Sequence, residues 1–243
     1  MTKRERRRAK QESTFRLFLR ETASWFVTNV TVTFFWLFFR LLNHTTVIGK
    51  ENVGYERNTL LLSNHQSMID SFPVGLFAFY PRSWLKPYLL PWNPAAAENF
   101  YKSRILAWVA DRWRCIPVKE GRRDLRALHH MIQVLPDGVM TLFPEARRTR
   151  TGEVGAGRAG AGIVILKTRP KVIPVAIDGM QDVLPIGRRV PQIFQRVVFK
   201  YGPPVDFGDL LDQPASAELA QAITDRAMEA IRTQHTEIRR LRQ

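Results

Sequence analysis

Thr59-Leu60-Leu61-Leu62-Ser63-Asn64-His65-Gln66-Ser67-Met68-Ile69-Asp70 is the stretch that decides the fold. It opens on an apolar run between two hydroxyl residues, Thr59–Ser63, the pattern of a strand covered on both faces. A polar block follows, and residues 68–79 are predicted to be helical. A strand that ends in a polar turn and feeds a helix is the unit of an open α/β sheet. In such sheets the active groups gather at the carboxyl ends of the strands.

The same alternation continues toward the C-terminus. Val139–Phe143, Val172–Ile177 and Val197–Tyr201 read as strands, and Ile116–Val118 as a short one. Leu125, Leu128, Ile132 and Leu135 recur at spacings of 3, 4 and 3 and mark one face of a helix. Leu219, Ile223, Ala227 and Ile231 stripe a C-terminal helix, with Asp206–Pro214 as the loop before it. Together these predict a central mixed, largely parallel β-sheet flanked by helices, over residues 46–243.

Residues 1–45 differ in character. A basic run (Lys3, Arg4, Arg6, Arg7, Arg8, Lys10) precedes the apolar stretch Trp25–Phe39. That stretch is shorter than the roughly 20 residues of a spanning helix, and it contains Asn29 and three threonines. No small-residue cleavage site follows it, which argues against a secretory leader. An interfacial or half-inserted helix is expected, with tryptophans at the bilayer surface and the basic run on an anionic leaflet. Residues 1–45 are therefore read as a membrane-anchoring helical segment.

The chain carries 37 Lys+Arg against 22 Asp+Glu, a formal net charge of +15. Such a surplus concerns partners more than fold. Nucleic acid is excluded because no recognised nucleic-acid motif is present and the aromatics cluster in the N-terminal apolar stretch. The single cysteine, Cys115, rules out an internal disulfide and a multi-cysteine metal site, and it fits a reducing, cytoplasmic-face location.

His65 and Asp70 are the candidate catalytic pair. A carboxylate on one ring nitrogen fixes the tautomer and leaves the other free to take a proton from an attacking hydroxyl. The bland alternative is a capping-box spacing from Ser67 to Asp70, with His65 an ordinary turn residue. The second candidate block is Phe143-Pro144-Glu145-Ala146-Arg147-Arg148, again at the end of an expected strand. Its guanidinium groups match phosphate geometry. The literal Gly155-x-Gly157-x-x-Gly160 pattern follows a polar loop and not a strand, so a dinucleotide fingerprint is discounted. His129 and His130 have no carboxylate or cysteine cluster beside them and are read as packed or solvated.

Taken in order, NHQSMID, IPV, FPEARR and VIPVAI resemble the blocks of the phospholipid and glycerol acyltransferase family, typified by 1-acylglycerol-3-phosphate acyltransferases. The resemblance covers residues 47–205. It implies a glycerol-3-phosphate acyltransferase-like fold on a monotopic membrane enzyme, with His65 as general base and Asp70 as its orienting partner. It implies that Glu145 helps bind the acceptor, that Arg148 contacts phosphate, and that Arg158 stands where the family often has a lysine. No cofactor or metal is implied. The acyl donor would be an acyl carrier protein or coenzyme A thioester, and the acceptor a lysophospholipid in the membrane.

Two departures from the family pattern bear on the acceptor. Ala146 and Arg147 replace the usual Gly and Thr, and Glu120 stands where Arg is common. Lys119, Arg122 or Arg123 would then take over a phosphate contact. A head group lacking that phosphate, such as that of a lyso-ornithine lipid, stays open, as does a non-catalytic lysolipid-binding role.

Overall fold

A computed structural model of the chain describes residues 3–119 and 124–242. Its elements, in chain order, are α1 Lys3–Leu41, β1 His44–Ile48, β2 Thr59–Ser63, α2 Ser71–Phe79, β3 Asn93–Ala96, α3 Ala97–Phe100, α4 Arg104–Arg112 and β4 Cys115–Val118. They continue with α5 Leu125–Val134, β5 Val139–Leu142, α6 Gly160–Thr168, β6 Lys171–Asp178, α7 Met180–Val183, β7 Arg196–Tyr201 and α8 Ala217–Arg242.

Among the described residues the main sheet has five strands in the order β1-β7-β6-β2-β5. Only the β6–β7 pair is antiparallel, so β2, β5 and β6 run together and end at the same edge. This is the mixed, largely parallel sheet expected from the sequence. β3 and β4 form a small parallel pair of their own, joined to β5 by a bridge between Trp92 and Met140.

The run Leu60-Leu61-Leu62 explains the layering. β2 is the sheet's fully buried inner strand, and its side chains alternate between faces. Leu61 enters the core built with α1 and α2, where Phe39, Phe77 and Phe199 meet. Leu60 and Leu62 enter the opposite core, with α5, α6 and α8. α6 and α8 approach so closely that a Cβ on Gly162 would lie 1.8 Å from the Ala220 carbonyl oxygen. The Gly162 N–H, free because it is in the first turn of α6, donates to Thr224 Oγ1 of α8 at 2.9 Å.

Several elements differ from the sequence expectation. β1 (HTTVI) is a half-buried edge strand and β3 (NPAA) a short one containing Pro94, so neither carries a clear apolar pattern. The helix expected from residue 68 starts at Ser71, because the preceding turn is gathered around Asp70. Within the loop before α8, Gly208–Asp212 forms a 3₁₀ turn.

α1 docks on the domain through a face of mixed polarity. Its inward face buries Ser24, Thr28 and Asn29 together with Val32 and Phe39. Thr28 Oγ1 donates to the Arg112 carbonyl (2.8 Å), Ser83 Oγ donates to Asn29 Oδ1 (2.8 Å), and the Trp113 indole donates to Thr31 Oγ1 (3.1 Å). Its outward face carries Phe26, Val30, Phe34, Leu37 and Leu41, an apolar stripe at helical spacing that is exposed among the described residues. The segment Leu17–Leu41 is long and apolar enough to cross a bilayer, with a mean hydropathy of 1.3. At its C-terminal end Phe39 is fully buried, so this segment is part of the core and also offers an apolar surface to its surroundings.

Candidate active site

The parallel strands β2, β5 and β6 bring three loop starts together, and the site is built where they end. Asn64 extends β2 by one step with its side chain. Its Nδ2 donates to the Ile177 carbonyl and its Oδ1 accepts the Ile177 N–H, both at 2.9 Å. Gln66 does the same further along, donating to Asp178 Oδ1 at 3.2 Å and accepting the Met180 N–H at 3.1 Å. Ser67 Oγ donates to the Leu184 carbonyl at 3.1 Å. Asn64, Gln66 and Ser67 are thus fastened to β6 and the segment after it, and the turn carrying His65 is held on that side.

Asp70 is fully buried, and one of its oxygens collects three donors. Oδ2 accepts the Gln66 N–H (2.6 Å) and the Ser67 N–H (2.8 Å), and it lies 2.9 Å from His65 Nδ1. The capping-box alternative describes half of this turn, since the Asp70 carboxylate accepts the Ser67 N–H, but the same oxygen also faces His65 Nδ1. Asp70 reaches back toward His65, while the Ser67 hydroxyl is engaged elsewhere. With the carboxylate on Nδ1, that nitrogen carries the proton and Nε2 presents its lone pair. The His65 side chain is 20% exposed, and no protein hydrogen bond reaches Nε2 among the described residues.

The loop after β5 fixes the other side of His65. The imidazole stacks on the Phe143 ring, with centroids 4.3 Å apart and planes at 21°. The Thr149 N–H donates to the His65 carbonyl at 2.8 Å. Glu145, 5% exposed, accepts the His65 N–H on Oε1 and the Gly155 N–H on Oε2, each at 3.0 Å. Burial raises the Glu145 carboxyl, while the two N–H donors act in the opposite direction. A Cβ on Gly155 would lie 2.8 Å from Glu145 Oε2, so this glycine admits the carboxylate. Gly157 admits Thr224 and Met228 of α8, and Gly160 faces open space. Gly155 and Gly157 of the discounted fingerprint therefore serve close packing, and Gly160 does not.

The candidate binding residues separate into groups. Arg147 is exposed and Arg148 half-buried, both next to the Thr149 contact with His65, and no described carboxylate pairs with either. Arg158 is exposed, and its N–H donates to the Pro144 carbonyl, which keeps it beside the same loop. Lys119 is exposed at the end of β4, with its N–H on Asp124 Oδ2. No hydrogen bond or ion pair joins Lys119 to the His65 group among the described residues. Arg122 and Arg123 lie outside the described residues. Sequence reasoning did not single out Asn64, Gln66, Phe143, Thr149 or Asp178, and it noted Gly155 only in the discounted glycine pattern. Asn64, Gln66 and Phe143 sit inside the two quoted blocks, which was the one available signal.

Ala146 has a positive φ of 55°. L-residues pay about 1–2 kcal/mol in that region, and glycine does not. Ala146→Gly is therefore expected to raise Tm by a few degrees, the gain being trimmed by the greater freedom of glycine in the unfolded chain. Thermal unfolding measured with near-UV circular dichroism checks this. A lower Tm would mean that the Ala146 methyl group makes a compensating contact.

The acyltransferase family matches residues 44–178. The chain is 24% identical over 147 residues to a chloroplast 1-acyl-sn-glycerol-3-phosphate acyltransferase of Arabidopsis thaliana, covering 57% of this chain and 37% of that protein. It is 24% identical over 190 residues to a 1-acyl-sn-glycerol-3-phosphate acyltransferase of Chlamydomonas reinhardtii, covering 73% and 52% respectively. The chain thus spans about half or less of the length of these relatives. Its fold is that of the crystal structure of the 1-acyl-sn-glycerophosphate acyltransferase PlsC from Thermotoga maritima, with a TM-score of 0.63 and 24% identity over 90% of this chain and 79% of that one.

Proposed function

The chain belongs to the acyltransferase family, and from that premise we propose that it moves a fatty acyl group from a thioester to the hydroxyl of a lysophospholipid, 1-acylglycerol-3-phosphate in the first instance. The observation that carries this reading is the His65–Asp70 pair. It presents Nε2 as a proton acceptor on a partly exposed imidazole at a strand end while Nδ1 is held on a buried carboxylate.

In this mechanism Nε2 takes the proton of the acceptor hydroxyl as its oxygen attacks the thioester carbonyl carbon. Asp70 stabilises the imidazolium that forms. The tetrahedral intermediate collapses with cleavage of the C–S bond, and the imidazolium returns the proton to the leaving thiolate. No covalent acyl-enzyme is required. Arg148 and Arg147, beside His65 and without a carboxylate partner among the described residues, offer the charge and fork geometry for a head-group phosphate, and Arg158 adds to the same positive surface. The donor is an acyl carrier protein or coenzyme A thioester, both anionic.

We place the protein on the cytoplasmic face of a membrane, with α1 lying along it. The inward face of α1 is bound to the domain by side-chain hydrogen bonds, so the outward stripe of Phe26, Val30, Phe34, Leu37 and Leu41 is the part offered to lipid. Ile105 and Trp108 of α4, which packs against α1, are exposed as well.

The test is acyl transfer by the full chain in detergent. Acyl carrier protein and coenzyme A thioesters are offered with either lysophosphatidic acid or lyso-ornithine lipid. Product from lysophosphatidic acid is expected. Product from lyso-ornithine lipid alone would keep the chemistry and move the acceptor, in line with Glu120 in the second block. No product from any pairing would favour a non-catalytic lysolipid-binding role.

A further inference from the structure

Between α7 and β7 the chain runs Leu184-Pro185-Ile186-Gly187-Arg188-Arg189-Val190-Pro191-Gln192-Ile193-Phe194-Gln195 with no helix or strand. Surface connections of this kind are ordinarily polar. Here Ile186, Val190, Ile193 and Phe194 are exposed, Val190 at 75% and Phe194 at 69%. They do not contribute to either of the main cores.

The loop is not free to fold these groups away. The Gln192 N–H donates to the Val183 carbonyl at 2.7 Å, and the Gln195 N–H donates to Asn43 Oδ1 at 2.9 Å. The Phe194 N–H donates to the Leu42 carbonyl at 2.7 Å. Leu42 follows Leu41, the last residue of the outward stripe of α1, and is itself 43% exposed. The apolar line along α1 therefore passes through Leu41 and Leu42 to Phe194 and Ile193, with the exposed Arg40 beside it.

Charge selects the occupant. From Val183 to Val205 the sequence has no acidic residue, while Arg188 and Arg189 stand exposed between the apolar tips and Arg40 caps the near end of α1. Apolar side chains interleaved with cations fit the head-group layer of an anionic bilayer, where the arginines meet phosphates and the apolar groups reach the acyl boundary.

We propose that residues 186–194 form a second membrane contact, continuous with that of α1, in which Val190, Ile193 and Phe194 insert into an anionic lipid surface. This rests on the reading that the outward stripe of α1 faces the membrane. The contact has a catalytic consequence. Leu184, at the root of the loop, accepts the Ser67 hydroxyl of the turn that carries His65, so docking the loop sets the height of that turn above the leaflet holding the acceptor.

The experiment uses the full chain with single cysteines at Val190, at Phe26 on α1, and at Ala222 on the exposed side of α8, each carrying a nitroxide. Native Cys115 is buried and its thiol is pushed up to about 12, so it stays unlabelled. Collision with oxygen and with a water-soluble nickel complex is compared with and without vesicles of phosphatidylcholine and phosphatidylglycerol. The labels at Val190 and Phe26 are expected to gain oxygen and lose nickel accessibility on vesicles, with the Ala222 label unchanged. The pair Val190→Glu and Phe194→Glu is expected to weaken vesicle binding by on the order of tenfold or more. A Val190 label that stays aqueous while the Phe26 label inserts overturns the proposal and leaves the α1 reading standing. If neither label inserts, both fall. A Val190 label immobilised without vesicles, in a manner that depends on protein concentration, would assign the loop to self-association and likewise overturn the proposal.

Discussion

His65→Ala is expected to reduce acyl transfer by on the order of 10²–10⁴-fold while the protein stays folded. The first part follows from the tautomer. Nε2 is the basic atom presented at the strand end, and the turn offers no second imidazole to replace it. The second part follows from how the turn is held. Asn64, Gln66 and Ser67 bind β6 and the segment after it through their own side chains, and Glu145 and Thr149 bind the backbone of residue 65. None of these bonds uses the imidazole. What is lost is the Phe143 stack and one donor to Asp70, which still has the Gln66 and Ser67 N–H groups. The Tm is therefore expected to move by no more than a few degrees. Asp70→Asn is the companion test. An amide oxygen accepts the same donors but carries no charge to stabilise an imidazolium, so turnover falls with only a small change in acceptor KM. Sustained turnover in His65→Ala would remove the base from the mechanism.

Legibility in the sequence followed the physics of each element. β2 and β6 were readable because a strand covered on both faces must be apolar along its length, and Leu60–Leu62 and Val172–Ile177 are. β1 was not, because an edge strand with threonines at half-buried positions has no such constraint. The His65–Asp70 spacing was visible, but the three-donor arrangement on Asp70 was not. Two of those donors are backbone N–H groups, which every non-proline residue carries and no sequence advertises. The polarity of α1 was hidden for a related reason. Thr28 and Asn29 read as interruptions of an apolar run, and only the tertiary partners Arg112 and Ser83 turn them into part of the docking face. Gly155 matched a nucleotide pattern by letter, and its requirement comes from a carboxylate ten positions earlier in the chain.

Glu145 carries the second large prediction, because two roles for it separate cleanly. The family resemblance makes it a contact to the acceptor. The geometry engages both of its oxygens with the N–H groups of His65 and Gly155, which makes it a clamp between the catalytic turn and the glycine loop. Glu145→Ala leaves two N–H groups without their partner in a buried position, at about 1–3 kcal/mol each. At about 2–4 °C per kcal/mol for a chain of this size, Tm is expected to fall by roughly 4–24 °C. Glu145→Gln keeps the shape but turns an N–H donor toward one of the two N–H groups, so it lowers Tm less and still lowers kcat by loosening His65. A clamp predicts a fall in kcat and Tm with acceptor KM little changed. A contact to the acceptor predicts a raised KM with Tm intact, and that result would restore the binding role. A pH series adds an independent readout. Burial raises the Glu145 carboxyl, so the folded chain holds that proton more tightly than the unfolded chain does. Its contribution to stability is full below the ordinary glutamate range and declines as pH rises through the raised folded value. Glutamine has no such titration. The Tm gap between wild type and Glu145→Gln is therefore expected to narrow from acid toward neutral pH, and a gap that widened would place the carboxylate in a site that favours its charge.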